Sequence, residues 1–228
     1  MASSSTKRMS VKDILFMQHA TGIDYLNVGY SVVFTDGADV DIFLDSYLEN
    51  PRPEWIRPML EFLTEQTEIP QPAIAGLTGF LSEVIRNNSK LESKWNSQVT
   101  YGCPGLRVLY STARSLNRQK ILSNKASAAL NDLIWGAFRA SRDQEYIEKL
   151  IDHLRFIDTY ETKSQLAAGA SAKWSLAANV QAFPFIRECV ESAIKKRDGN
   201  IKVHLDEVLT QEMSTIEKEF RDLLISSK

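Results

Sequence analysis

The sequence predicts an all-α fold, and three observations indicate it. Apolar residues recur at intervals of three and four along most of the chain after residue 39. Proline, glycine and short polar turns separate these segments. Only the run Tyr30–Thr35 has clear β character. Counting the segments gives about eight to ten helices in antiparallel hairpins. Their uneven spacing leaves two architectures open, an irregular solenoid-like helical repeat and a compact orthogonal bundle.

The N-terminal part mixes a tail, a helix and one extended run. Residues 1–9 are small, polar and without periodicity, so we expect them to be disordered. Ser10 and Asp13 are spaced as in a capping box and start a short helix that ends near Gly22. The run Tyr30–Thr35 has no comparable run to pair with, so a strand and an unpaired extended segment both stay open. Residues 10–228 are predicted to form a single helical domain.

The middle of the chain reads as a series of amphipathic helices, each with one apolar stripe. They begin near Asp39, Pro53, Pro72, Leu106, Ser123 and Asp143. Residues 87–105 are mostly polar and predict a connection without regular structure. Ser123 is placed as the N-cap of the helix that carries Trp135.

Three further helices complete the chain. The alanine-rich segment 164–182 places Trp174 on its inward side. Pro184 suits the first turn of the next helix, and Gly199 stops it. Residues 201–225 are predicted to form one C-terminal capping helix. Its heptad face either packs within the chain or forms a dimer, so a monomer and a dimer both stay open. The residues of this face are Leu209, Met213, Ile216, Phe220 and Leu223.

Two segments carry a resemblance to known proteins. In residues 132–147 a helix with Trp135 and Phe138 ends in a small-residue turn followed by Asp143, and Trp174-Ser-Leu176 lies downstream. This pattern resembles a loosely defined group of uncharacterised bacterial proteins. The resemblance implies a helical scaffold and assigns no activity and no functional residue.

Composition excludes several classes of function. The chain has 27 Lys+Arg and 29 Asp+Glu and a formal net charge of −2, so it has no long-range positive field to gather nucleic acid or anionic lipid. No apolar run approaches the roughly 18 residues of a membrane span. Cys103 and Cys189 stand far apart, which argues against a disulfide framework or a cysteine zinc site. We therefore expect a soluble cytoplasmic protein with no cofactor and no nucleic-acid or membrane partner, unless an N-terminal targeting segment has been removed.

One cluster of carboxylates suggests a metal site: Asp36, Asp39, Asp41 and Asp45. Carboxylates close together can bind a hard cation. A calcium loop needs its acidic residues before the glycine, whereas Gly37 comes second here. In the other interpretation, Asp39 caps a helix, Asp41 faces the positive end of the helix dipole and Asp45 is solvated.

Recognisable catalytic motifs are missing from the sequence. His19, His153 and His204 are dispersed and do not form H-E-x-x-H. Ser171, in the segment Gly169–Lys173, lacks the second glycine and the preceding strand of a nucleophile elbow. Catalytic residues are therefore left unassigned, although a triad assembled in three dimensions stays open.

Two features suggest contact with a partner. Trp95 lies in a polar stretch near Tyr101, where an exposed indole could anchor a partner or tuck back onto the domain. Arg107, Arg114 and Arg118 share one side of a predicted helix. That side could hold a phosphate or an acidic partner, or form a solvated face offset by neighbouring acids.

The leading functional prediction is a non-enzymatic helical scaffold that binds another protein, because stacked helix pairs occur without a recognisable catalytic set. The alternative is a metal-assisted enzyme or a small-ligand-binding protein that uses the cluster Asp36–Asp45.

Overall fold

A computed structural model describes residues 7–22 and 30–226. Within these residues the chain forms thirteen α-helices and one two-stranded sheet, so the all-α prediction is confirmed. The chain divides into two compact units. The first runs to Ser115 and includes Arg139–Ser141, and the second contains Leu116–Phe138 and the chain from Arg142 onward.

The helices follow one another with short connections. They are α1 Val11–Thr21, α2 Gly37–Tyr47, α3 Ile56–Glu65, α4 Gln71–Asn87, α5 Glu92–Val99, α6 Pro104–Ser115, α7 Arg118–Ser123, α8 Ala128–Ser141, α9 Gln144–His153, α10 Lys163–Ala182, α11 Pro184–Ile194, α12 Gly199–Thr210 and α13 Met213–Ser226. Short 3₁₀ turns are formed by Pro53–Trp55, Ser89–Leu91 and Leu154–Ile157.

The β-type run does find a partner. Strand β2, Tyr30–Val33, pairs in parallel with β1, Lys7–Ser10, and Lys7 lies opposite Tyr30. The prediction of a disordered tail is therefore wrong for residues 7–9, while residues 1–6 lie outside the described residues. The segment Lys7–Ser10 lacks β-type alternation, and its strand conformation comes from pairing rather than from propensity.

The start and end of α1 are as predicted. The Ser10 hydroxyl accepts a hydrogen bond from the Asp13 backbone N–H at 3.1 Å. Gly22 ends the helix with φ 69°, a left-handed conformation that glycine adopts without steric cost.

Aromatic packing dominates the core of the first unit. The Phe43 ring lies 5.5 to 5.9 Å, centroid to centroid, from the rings of Phe34, Tyr47, Trp55 and Phe80. Alternate helices contact each other, since α3 packs on α5 and α4 packs on α6. This packing fixes the positions of α5 and α6, which carry the candidate site.

Helix α10 is the centre of the second unit, where it contacts α9, α11, α12, α13 and the turn Leu154–Ile157. The contact with the turn is unusually close at Gly169. A Cβ atom there would lie 2.8 Å from the Ile157 nitrogen and 3.1 Å from the His153 carbonyl oxygen. Glycine is therefore required at this point, because backbone atoms occupy the space a side chain would need.

Two helix boundaries differ from the prediction. The N-cap of α8 is Ser127, whose hydroxyl accepts from the Leu130 N–H at 3.0 Å, whereas Ser123 ends α7. The predicted helix 201–225 is interrupted, because Gln211 has extended backbone angles and separates α12 from α13.

The predicted heptad face is thereby divided between α12 and α13. Leu209 lies on α12, and the other four residues lie on α13, which packs on α10 and buries Ile216. This part of the face is used within the unit. A dimer through it stays a prediction.

Candidate functional site

The carboxylate cluster is used by the fold around α2. Asp36, rather than Asp39, is the N-cap of α2, and its Oδ1 accepts from the Asp39 N–H at 3.0 Å. The buried Asp39 carboxylate accepts from the Thr35 N–H at 2.8 Å, the Thr35 hydroxyl at 2.7 Å and the Lys12 N–H at 3.2 Å. Asp41 is exposed. The prediction that Asp39 is the N-cap is wrong. Asp36 directly precedes α2, and its side chain accepts from the backbone N–H three residues later, as an N-cap residue does.

Asp45 forms an ion pair, although its side chain is still 49% exposed. Its Oδ1 lies 2.8 Å from Arg139 Nη2. Burial raises the pKa of the Asp45 carboxyl, Arg139 lowers it, and Asp41 raises it further. Across the described residues, no group of three or more His, Cys, Asp or Glu side chains is arranged to hold a metal ion. The structure does not bring Asp36, Asp39, Asp41 and Asp45 together as a binding site.

His153 belongs to a buried hydrogen-bond network that ties α8, α9 and α10 together. Asn131 Nδ2 donates to the Ala168 carbonyl and to the Ser171 hydroxyl, both at 2.7 Å. Since the amide nitrogen is the donor, Asn131 Oδ1 accepts from His153 Nδ1 at 2.6 Å. Ser171 therefore faces Asn131 and not a histidine base, so this network has the geometry of a structural tie rather than a catalytic triad.

Burial lowers the pKa of His153 to about 4, with smaller decreases from Lys149 and Arg155. The imidazole is therefore neutral at neutral pH, with its proton on Nδ1. Sequence reasoning missed Asn131, because a polar residue beside an apolar stripe gives no sign that it points inward.

An ionic network also joins the helices of the second unit. Lys173 Nζ lies 2.6 Å from Glu219 Oε2 and 2.8 Å from Glu207 Oε2. His204 lies 2.8 Å from Asp158 and 3.1 Å from Glu207. Burial lowers the pKa of the Lys173 ammonium, but the hydrogen bonds to both glutamates outweigh it, so the pKa lies above its usual value. The two ion pairs of Lys173 connect α12 and α13 to α10.

Two cavities lie beside α13 in the second unit. One, of about 380 Å³, borders the ionic network. The other, of about 420 Å³, is lined by Trp174 and Phe220, whose ring centroids lie 6.3 Å apart, together with Asn131 and Asp132. Trp174 is 38% exposed, so the prediction that it points into the core is wrong.

The polar segment before α6 contains a helix that the sequence did not reveal. Trp95 and Val99 lie four residues apart on one side of α5, which packs on α3 and α6. Trp95 is only 2% exposed, so the prediction of an exposed indole anchor is wrong. Tyr101 is 85% exposed and remains a candidate contact residue, and Val108 on α6 is 67% exposed.

The three arginines of the basic stretch do not share one helix face. Helix α6 ends at Ser115, and Arg118 begins α7, where it lies 2.6 Å from Asp143. Arg114 lies 2.5 Å from Glu92 Oε1. Arg107 makes no ion pair with any residue that the structure describes. Of the three predicted cations, Arg107 is thus the one left without a carboxylate.

A cavity of about 290 Å³ lies between α5 and α6. The side chains from α6 are spaced three, four and seven residues from Arg107 and therefore share one face. The lining residues are Asn96, Val99, Thr100, Arg107, Tyr110, Ser111 and Arg114. This cavity, together with the exposed Tyr101 and Val108 that follow Thr100 and Arg107 in sequence, is named the α5–α6 surface.

Tyr110 is one of the residues that line this cavity, but its hydroxyl oxygen is inaccessible to solvent. Its side chain is buried, and its hydroxyl forms no hydrogen bond with the described residues. Burial raises the pKa of Tyr110 to about 12, with a further increase from Glu92 and a decrease from Arg114. The phenol is therefore a neutral donor at neutral pH. Other buried groups without partners, such as the indole N–H of Trp55 and Trp135, line none of the three cavities.

Comparison with known proteins adds no assignment. The sequence matches no protein-family model, and neither the curated proteins nor the solved structures give a match. No helix in the described part of the chain combines the length and apolar character of a membrane span.

The unengaged hydroxyl leads to a stability prediction. We expect Tyr110→Phe to raise the free energy of unfolding by about 1 kcal/mol, because a buried donor without a partner is removed. Urea unfolding of both proteins measures the difference. The matched control is Tyr47→Phe in the same unit, because the buried Tyr47 hydroxyl has a hydrogen bond with Asn88. Tyr47→Phe should lower the free energy of unfolding. An equal decrease for Tyr110→Phe would show that the Tyr110 hydroxyl does form a hydrogen bond.

Proposed function

We propose that this chain is a protein-binding helical scaffold that engages its partner through the α5–α6 surface. One observation supports this most directly: exposed Tyr101 and Val108 directly follow Thr100 and Arg107, which line a cavity, and Arg107 has no ion pair with the described residues. Tyrosine and arginine are enriched among the residues that dominate binding energy at protein interfaces.

The packing of the first unit supports this proposal. The contacts of α3 with α5 and of α4 with α6 hold the surface on stacked helices rather than on loops. Stacked helix pairs are typical of helical-repeat proteins, whose common use is to present an extended surface to another protein. The solenoid-like interpretation of the fold is part of the same proposal.

The alternative, a metal-assisted enzyme or small-ligand-binding protein built on Asp36–Asp45, has less support. Asp36 and Asp39 are engaged by backbone groups, and Asp45 pairs with Arg139. A carboxylate held in this way would have to give up its hydrogen bonds before it could bind a cation.

Location and partner class depend on composition. We propose that the protein is cytoplasmic. We also propose that its partner is another protein rather than nucleic acid, because the formal net charge of −2 gives no attraction to phosphate backbones. Cell fractionation of the tagged chain tests the location, and recovery in a membrane or nuclear fraction would contradict it.

Photocross-linking tests the proposed function. Tyr101→p-benzoylphenylalanine, irradiated in cell extract, is expected to give a discrete cross-linked protein. Adding Val108→Asp should remove that product, because a carboxylate would be placed in the contact. The matched control is Tyr160→p-benzoylphenylalanine in the second unit, where the native side chain is 51% exposed. The same products from positions 101 and 160, or products unaffected by Val108→Asp, would contradict the proposal.

A further inference from the structure

We infer that α13 is an exchangeable helix: the face of α10 that it covers also accepts α13 of a second copy of this chain, which gives a domain-swapped dimer. The chain opens at Gln211, between α12 and α13, and the two helices join into one. In the dimer each α10 keeps the contacts that it has in the single chain, but the other copy supplies them. This exchange takes place in the second unit and does not involve the α5–α6 surface.

The local sequence does not account for the break between α12 and α13. Gln211 has φ −81° and ψ 151°, an extended conformation between two helices. The segment 210–213 contains no glycine or proline that would end a helix, and Glu212, which precedes α13, is not among the residues favoured as an N-cap. The heptad face keeps its spacing of four and three residues across the break. One continuous helix is therefore the conformation that the local sequence favours, and packing imposes the break.

The break also leaves polar groups without partners. The Gln211 Oε1 atom is inaccessible to solvent and forms no hydrogen bond with the described residues. Where one helix stops and another starts, the last carbonyls and the first N–H groups lack intrahelical partners. A continuous helix gives these backbone groups their partners and carries the Gln211 side chain away from its present position. Opening at Gln211 therefore recovers hydrogen bonds that the closed form lacks.

Helix α13 is held on the unit mainly by one other helix. In the described part of the chain, α10 is the only element with which α13 forms an extensive contact. Among the described side chains of α13 only Ile216 is buried, while Phe220 and Leu223 are half-buried. The two cavities beside α13, of about 380 and 420 Å³, both have Phe220 in their lining. Segments with few buried contacts open more readily than the core, so α13 can leave α10 while the rest of the unit stays folded.

The face of α10 that α13 leaves is matched to α13 itself. It presents Lys173, whose ammonium lies 2.6 Å from Glu219 on α13, and Trp174, whose ring centroid lies 6.3 Å from that of Phe220. The Lys173 side chain is only 8% exposed, and Glu207 on α12 supplies one of its two carboxylate partners. Without α13 the second partner is missing, which leaves a largely buried charge less well compensated. The α13 of a second copy carries the same carboxylate and ring at the same spacing, and this identity favours a second copy as the occupant.

Isotope-filtered nuclear magnetic resonance tests the exchange. Full chain labelled with ¹³C and unlabelled full chain are mixed in urea, refolded together and separated by size-exclusion chromatography with light scattering. We expect a dimer whose fraction rises with protein concentration, as mass action requires. In this dimer nuclear Overhauser effects should connect the Trp174 ring of one copy to the Phe220 ring of the other.

Two substitutions at the hinge are matched to each other. Glu212 is exposed, and Gln211 before it already has the extended backbone that a residue preceding proline prefers. Glu212→Pro therefore fits the closed form and prevents the continuous helix, so the dimer fraction should fall about tenfold or more. Glu212→Ala favours a helix and should keep or increase the dimer fraction. Circular dichroism shows whether both variants fold, and if Glu212→Pro does not, the intermolecular contact in the parent chain decides the result.

Three results would overturn the exchange. The first is a parent chain that stays monomeric at every concentration. The second is a dimer in which the contact between Trp174 and Phe220 is found only within one copy, because the copies would then associate side by side. The third is a folded Glu212→Pro variant that forms as much dimer as the parent chain. None of these results bears on the α5–α6 surface, so the proposed function is tested independently.

Discussion

Gly169→Ala is expected to lower the free energy of unfolding of the second unit by about 3 kcal/mol. The new Cβ would lie 2.8 Å from the Ile157 nitrogen, 3.0 Å from the Phe156 carbonyl carbon and 3.1 Å from the His153 carbonyl oxygen. These are backbone atoms, which cannot turn away as a flexible side chain could. Helix α10 would have to move away from the turn Leu154–Ile157, and α9, α11, α12 and α13 also pack on it. Urea unfolding measures the loss.

The matched control is Gly105→Ala in α6. A Cβ at Gly105 would meet only the Cys103 sulfur, at 3.9 Å. This substitution should raise stability by up to about 1 kcal/mol, because alanine favours the helix. Unchanged or increased stability of Gly169→Ala would mean that α10 and the turn are not in close contact.

The second large effect is a loss of stability on acidification that depends on His153. Its pKa is about 4 in the folded chain, against 6.5 without burial. Between these values the unfolded chain takes up a proton that the folded chain does not. Stability therefore falls as the pH drops from about 6.5 to about 4, and this contribution levels off below that. The difference in pKa corresponds to about 3 kcal/mol at the lower limit.

Two measurements check the role of His153. The imidazole C–H resonance of His153, followed by nuclear magnetic resonance, should titrate near pH 4. Urea unfolding from pH 7 to pH 4 should give a smaller decrease in stability for His153→Gln than for the parent chain. The control His19→Gln removes an exposed histidine and should leave the decrease unchanged. A His153 titration midpoint near 6.5 would contradict the prediction.

The sequence pattern predicts the apolar face of α9 but not the buried hydrogen bond of His153. In α9 the spacing of Tyr146, Ile147, Leu150 and Ile151 indicates one inward face, and all four residues are buried. His153 and Asn131 also lie inside, where each supplies the hydrogen bond that the other needs. Local patterns cannot reveal such a pair, because the two residues lie 22 positions apart and on different helices.

The sequence named Tyr101 and Arg107 as candidate contact residues. Tyr101 is exposed and Arg107 lines a cavity, and a role of either residue in binding a partner stays a prediction. The predictions for two tryptophans are wrong in opposite directions. Trp95, expected to be exposed, is buried on α5, which packs on α3 and α6. Trp174, expected to be buried, is partly exposed. Tyr110 is buried on α6, and no sequence signal shows that its hydroxyl has no hydrogen-bond partner among the described residues.

The sequence by itself determined the helical class of this protein, most helix positions and the two caps of α1, Ser10 and Gly22. These features depend on residues within one or two helical turns, so the local pattern contains the information. The tertiary structure decided the pairing of Lys7–Ser10 with Tyr30–Val33, the break at Gln211, the ionic network of Lys173 and the cavity between α5 and α6. Each of these depends on which distant element lies opposite a residue, because burial and the availability of a partner are properties of the packed chain.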